Sequence, residues 1–79
     1  MPLLCTLDGV KVQMFMNDHP PPHFHVVFAE YKAQIEIATM KVMNGSLPKR
    51  KLKIVARWGR ENERALSELF NRLNPPLIR

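Results

Sequence analysis

Cysteine is nearly missing from this chain: Cys5 is the single one in 79 residues. No internal disulfide framework can form, and nothing in the sequence needs an oxidising compartment. Long apolar runs are missing too, since no segment approaches the roughly 20 apolar residues of a membrane span. The amino terminus, MPLLCTLDGV, has neither a basic n-region nor a long apolar stretch. The expectation is a cytoplasmic protein, neither secreted nor embedded. The sequence holds no CxxC pair, phosphate-binding loop or nucleophile motif, so it indicates no specific enzyme class. It also shows no internal repeat, low-complexity segment or domain linker. A chain this short buries only about 60% of its unfolded surface. One domain over residues 1–79 is therefore expected, with a small core that homodimerisation would reinforce.

Acidic residues are scarce in the second half. Before Gly45 there are 3 lysines against 4 acids, and after it 9 Lys/Arg against 3 acids, which divides the formal charge of +5 into −1 and +6. The basic character is local, and charge of this size favours a polyanion or an acidic partner protein.

Two extended apolar runs, Leu3 to Leu7 and Val10 to Met16, flank Asp8-Gly9, a pair that signals a two-residue hairpin turn. The NDHPPP run from Asn17 to Pro22 removes three backbone donors and reads as a rigid surface loop. From His23 the alternation is clear. Phe24, Val26 and Phe28 share one face, as do Tyr31, Ala33, Ile35 and Ile37 after a break at Ala29-Glu30. Met40 to Met43 is a candidate short strand before Asn44-Gly45, a second turn signal.

From Leu47 to Leu73 the period changes to 3.6, with Leu52, Val55, Trp58, Leu66, Leu69 and Leu73 on one arc. This predicts one long helix, capped by Ser46, with Pro48 in its first turn, bent at Gly59 and stopped by Asn74-Pro75-Pro76. Lys51 and Asn62 fall inside the apolar arc, where hydrophobes are expected. The predicted architecture is α+β: an antiparallel sheet of four to five strands covered on one face by one long C-terminal helix.

All three histidines, His19, His23 and His25, lie within seven residues of one another. If Ala29-Glu30 is a two-residue loop, Phe28 faces Tyr31, Val26 faces Ala33 and Phe24 faces Ile35. His25 then stands opposite Gln34 and His23 opposite Glu36, on the surface away from the core, with the prolines fixing the approach of Asp18 and His19. Three readings follow. His23, His25 and Glu36 offer imidazole and carboxylate ligands suited to Zn, Ni, Fe or Mn; His19, His23 and His25 suit acid–base catalysis near neutral pH; or the histidines form a polar face that merely hydrogen-bonds the proline loop.

On the helical wheel Arg50, Lys53, Arg57, Arg60 and Arg64 occupy one sector almost opposite the apolar arc. A ridge of this kind suits successive phosphates, although a solvated outer face has the same composition, and no base-reading residues alternate with the charges.

The runs NDHPPPHFHV (Asn17 to Val26), EYKAQIEI (Glu30 to Ile37) and NGSLP (Asn44 to Pro48) ahead of a Trp-containing helix resemble a family of small bacterial domains of unknown function. The resemblance covers nearly the whole chain. Members of that family are often labelled transcriptional regulators, and their genes commonly sit in pairs that resemble toxin–antitoxin operons. The resemblance therefore implies a regulatory or toxin–antitoxin-type module that binds nucleic acid or a partner protein, with the basic ridge as the contact surface. The alternative is a histidine-based enzyme or metal-binding protein, such as a ribonuclease, that uses the HPPPHFH surface; a third is a dimerisation or scaffold domain. The family helix commonly carries a histidine where this chain has Asn62 and a second tryptophan where it has Phe70, so a role that needs that histidine is not implied here.

Overall fold

In the computed structural model, which describes residues 3–16 and 18–75, five strands and two helices follow one another in chain order. Strands β1 (Leu3–Leu7), β2 (Val10–Gln13), β3 (His23–Phe28), β4 (Tyr31–Glu36) and β5 (Val42–Gly45) form one sheet with each strand beside its sequence neighbours. Every pairing is antiparallel. The helices α1 (Lys49–Glu61) and α2 (Glu63–Leu73) come last. No helix among the described residues is long and apolar enough to cross a membrane.

The Asp8-Gly9 turn has both residues at positive φ, 48° and 85°, the conformation that brings two strands together with the right-handed sheet twist. Ala29 supplies the left-handed residue of the next hairpin, at φ 53°. That two-residue turn fixes the register the alternation demands: His23 with Glu36, Phe24 with Ile35, His25 with Gln34, Val26 with Ala33 and Phe28 with Tyr31. Two strands differ from the sequence reading. β2 ends at Gln13 instead of running to Met16, although Met14 beyond it remains fully buried. The fifth strand begins at Val42, not Met40, because Met40 sits at φ 58° and its N–H bonds the Glu36 carbonyl at 2.7 Å, turning the chain first. Asn44-Gly45 consequently belongs to the strand. Gly45 has φ 81°, and a methyl there would overlap the Lys32 carbonyl oxygen.

The single long helix of the sequence reading is two helices, and Asn62 is the joint. Its backbone leaves helical geometry at φ −121°, ψ 20°. Its N–H donates to the Trp58 and Gly59 carbonyls at 3.1 Å each, and its Nδ2 donates to the Trp58 carbonyl at 2.8 Å. An amide side chain bonded back to its own helix competes with continued helical bonding. The Asn62 carbonyl then starts α2 by accepting from the Leu66 N–H at 2.9 Å. Gly59 lies inside α1 and is buried, and a methyl at its Cα would overlap the Met40 sulfur. The N-cap is Pro48 and not Ser46, whose N–H bonds the Lys32 carbonyl instead. At the far end Asn74 is the cap after Leu73, while Pro76, read as part of that stop, and Asn17 lie outside the described residues.

The helices cover the apolar face of the sheet. Val10, Val12, Met14, Phe24, Val26, Ile35 and Ile37 are fully or almost fully buried against Val55, Ala56, Leu66 and Phe70, each large side chain contributing about 1.5–3 kcal/mol by leaving water. Trp58 meets Phe24 edge-on at 5.9 Å. Lys51, which the wheel put among hydrophobes, donates from Nζ to the Asp8 carbonyl and to Asp8 Oδ2, both at 2.8 Å, and lies 4.7 Å from the Phe28 ring centroid. It ties the start of α1 to the first hairpin.

The Lys51 ammonium holds the Asp8 carboxyl below its ordinary value of 3.8. A carboxylate with a depressed folded-state pKa adds stability that is present above its unfolded pKa and is lost as pH falls through the folded one. Asp8→Asn, which keeps the turn geometry, should therefore lower the melting temperature slightly at neutral pH. The gap from the parent should begin to close near pH 3.8 and vanish below it; a gap unchanged from neutral to acid pH would refute the charge coupling.

Candidate functional site

His23 and His25 alternate with Phe24 and Val26 along β3; His23, at the start of the strand, nevertheless packs its ring against Phe70 of α2. They do not form an open surface. His23 is only 5% exposed, because the Phe70 ring lies 5.5 Å from it and the loop after β2 closes over its edge. His25 is half-buried, with Phe15 edge-on at 4.5 Å. The two imidazole centroids are 5.2 Å apart.

The carboxylate that joins them is Asp18. Its Oδ2 lies 3.0 Å from His25 Nε2 and 3.3 Å from His23 Nε2. The three donor atoms all fall within 4.8 Å of one another. Glu36, the acid expected at this place, stands beside His23 in the ladder, but its Oε1 accepts the Thr39 hydroxyl at 2.9 Å. His19 is exposed on the proline loop and is not one of the three converging groups.

Hydrogen bonds fix which face of His23 is available. Its Nδ1 lies 2.8 Å from the Pro21 carbonyl, and a carbonyl only accepts, so Nδ1 carries the proton. Nε2 is then the lone-pair nitrogen of the neutral ring, and it points at a carboxylate oxygen. Two lone pairs facing each other at 3.3 Å repel, and either a proton or a cation between them relieves this. His25 Nε2–H donates to the same oxygen.

Asn74 anchors Asp18. The Asp18 N–H donates to Asn74 Oδ1 at 2.6 Å, and Asn74 Nδ2 donates to the Phe15 carbonyl at 3.0 Å and the Phe70 carbonyl at 3.3 Å. One side chain thus binds the end of α2, the exit of β2 and the backbone of Asp18. Asp18 carries a sequence signal, since it lies within the same NDHPPPHFH run; Asn74, 56 residues away, carries none beyond its role as a helix stop. Cys5, half-buried on β1, takes no part: burial pushes its thiol pKa up, which leaves it less thiolate and less reactive.

The basic residues stand elsewhere. Arg50, Lys53, Arg57 and Arg60 are exposed on α1, and Arg64 is exposed on α2, beyond the Asn62 joint. Arg57 Nε approaches Glu61 Oε2 at 3.9 Å, and Arg60 and Arg64 share a shallow depression with Glu61, Glu63 and Glu68.

An antiparallel five-stranded meander backed by two helices, with an Asp–His–His group at one sheet end, defines an α+β domain with a preorganised polar centre. Residues 9–71 match the family model described as Domain of unknown function (DUF4160), and the chain belongs to that family. No curated protein and no solved structure matches the chain.

Replacing Asn74 by Ala should cost about 1–3 kcal/mol through the buried partners it leaves unpaired. It should also speed hydrogen exchange at the Asp18 amide; unchanged exchange there would show that Asn74 does not hold the Asp18 backbone.

Proposed function

We propose that the chain is a metal-binding protein whose Asp18, His23 and His25 hold one divalent transition ion. The observation that carries this reading is the convergence of three donor atoms, with both imidazoles close to one carboxylate oxygen. Bonds of about 2.1 Å set two donor atoms roughly 3.0 Å apart at a right angle and roughly 3.4 Å apart at the tetrahedral angle. The carboxylate-to-imidazole separations of 3.0 and 3.3 Å lie within that range. His23 also has the outer-shell partner metal-bound histidines usually have, a carbonyl that takes the other ring N–H and leaves Nε2 free. Two imidazoles and one carboxylate suit Zn, Fe, Ni or Mn and leave coordination positions for water or a ligand. A bound ion there supplies Lewis acidity; Pro21 and Asn74 orient the ligands. With Asp18 and His25 about one-quarter and one-fifth exposed, the centre opens toward the face of the sheet that the helices do not cover.

Zn, Co(II), Mn and anaerobic Fe(II) each provide a test by thermal melting and calorimetry. An ion at 100 times its Kd adds about 2.7 kcal/mol, which for a chain of this size raises Tm by roughly 10 °C or more. Asp18→Asn should weaken binding at least about tenfold. A Tm that none of these ions moves would sink the proposal.

The second reading is a regulatory or toxin–antitoxin-type module that binds nucleic acid or a protein partner through its helices. It is favoured by the exposure of Arg50, Lys53, Arg57 and Arg60 on α1. These four charges should bind duplex DNA without base preference, with a log–log salt slope of about −3 to −4 and a loss of roughly one per Arg→Ala. A titration at low ionic strength that detects no complex with DNA or RNA would remove the nucleic-acid arm of this reading.

A further inference from the structure

We infer that the uncovered face of the sheet binds a short single-stranded oligonucleotide, with its bases on a row of amide side chains and a phosphate on a pair of lysines. The inference extends the metal reading and rests on it only for what engages the end of the ligand nearest Asp18.

The row follows from the pairing. Gln13 stands beside His25, His25 beside Gln34, and Gln34 beside Asn44. The three primary amides and one imidazole thus cross four adjacent strands on one rung, a span of about 14 Å. Each amide both donates and accepts, as the edges of nucleobases do. Phe15 stands at the end of this rung with an aromatic edge against His25, and together they offer rings on which a base can stack.

One rung further along, Lys11 pairs with Val27 and Val27 with Lys32. Alternation puts both lysines on the same uncovered face, about 7 Å along the strands from the amide row. Thr6, the β1 partner of Lys11, is the next residue on that rung. Neither rung itself carries a carboxylate among the described residues; the acids of this side, Asp18 beside His25 and Glu36 beside His23, lie toward its other end. Charge therefore favours an anionic group at the lysine end, which a neutral sugar or an acetylated peptide does not supply. Gln13, Phe15, His25, Lys32, Gln34 and Asn44 line one depression of about 350 Å³, large enough for one nucleotide. Its His25 end is the metal-facing end, because His25 Nε2 is one of the three converging donors. A strand laid over the row therefore runs from the lysine pair to the Asp18 centre.

The probes are a tetraribonucleotide and its deoxyribose counterpart, titrated at low salt in EDTA and followed by the side-chain NH2 resonances of Gln13, Gln34 and Asn44. Those resonances should shift, and tighter binding by the ribose form would identify RNA as the source. Lys32→Glu and, separately, Lys11→Glu should weaken binding about tenfold or more. Phe15→Ala should weaken it roughly 5- to 150-fold. Lys49→Glu, an equal charge change on α1, should leave it unaltered. Shifts confined to α1, or no shift with either probe, would overturn the inference. The two readings separate cleanly: oligonucleotide binding in EDTA by a protein that takes up no metal overturns only the metal centre, and metal uptake without oligonucleotide binding overturns only this one.

Discussion

The β3–β4 hairpin sets everything else, because its two-residue turn at Ala29-Glu30 admits one register. Side chains on a strand alternate with a period of two, and a slip by one residue would exchange the faces completely. In the observed register Phe24, Val26, Ala33 and Ile35 are all buried on the helix side. The opposite register would put His23, His25, Gln34 and Glu36 into that core without partners, a cost of several kcal/mol. Hydrophobic burial therefore fixes the position of the histidines as firmly as it fixes the core. The chemistry of the site is a by-product of that choice, completed by a loop that brings Asp18 to the ring nitrogens.

This dependence explains which features could be read from residues alone. Local rules determine the strands and their faces, and the pairing of His25 with Gln34 and His23 with Glu36 follows from turn length and alternation. Three features resisted the same treatment, all for one reason. The Asn62 joint, the Lys51–Asp8 tie and the Asn74 anchor are polar contacts whose value depends on partners 4, 43 and 56 residues away. Periodicity registered the first two only as residues out of place on a helical wheel. Such misfits carry information: Lys51 lies among apolar neighbours because its stem packs over Phe28 while its ammonium reaches Asp8. The expected acid, Glu36, is the cross-strand neighbour of His23, but Asp18 is the acid that converges with the two histidines. A side chain one rung away is satisfied locally by Thr39, and a carboxylate brought in by a loop has more freedom to aim.

His23 serves packing and chemistry at once. It is nearly as buried as Phe70, which it touches, and its Nδ1–H is spent on Pro21. A ring so confined cannot turn to find another partner for Nε2. The ring is therefore preorganised, with the entropy of placing it already lost on folding, and any cation or proton bound at Nε2 would gain the benefit of the arrangement. The same confinement holds Nε2 against the Asp18 carboxylate at 3.3 Å, whether a proton or a cation lies between them.

The geometry also separates the two surfaces that attract anions. Val55, Ala56 and Gly59 turn the inner side of α1 toward the sheet, so the exposed arginines look outward from the helix layer. Gln13, His25, Gln34 and Lys32 look out from the other side of the sheet. A helix layer packed on a sheet separates these faces by about 10 Å between backbones, and the side chains on each add to that. A rigid duplex cannot contact both at once. A ligand that does must be single-stranded and pass around the sheet edge, or else two different ligands are involved. Salt dependence alone cannot distinguish these cases, since neutralised phosphates release counterions from either surface. The residue-specific response can, because the amide row has no counterpart among the arginines of α1. An interaction that moves the carboxamides belongs to the Asp18–His25 side of the domain, whatever its ionic strength dependence.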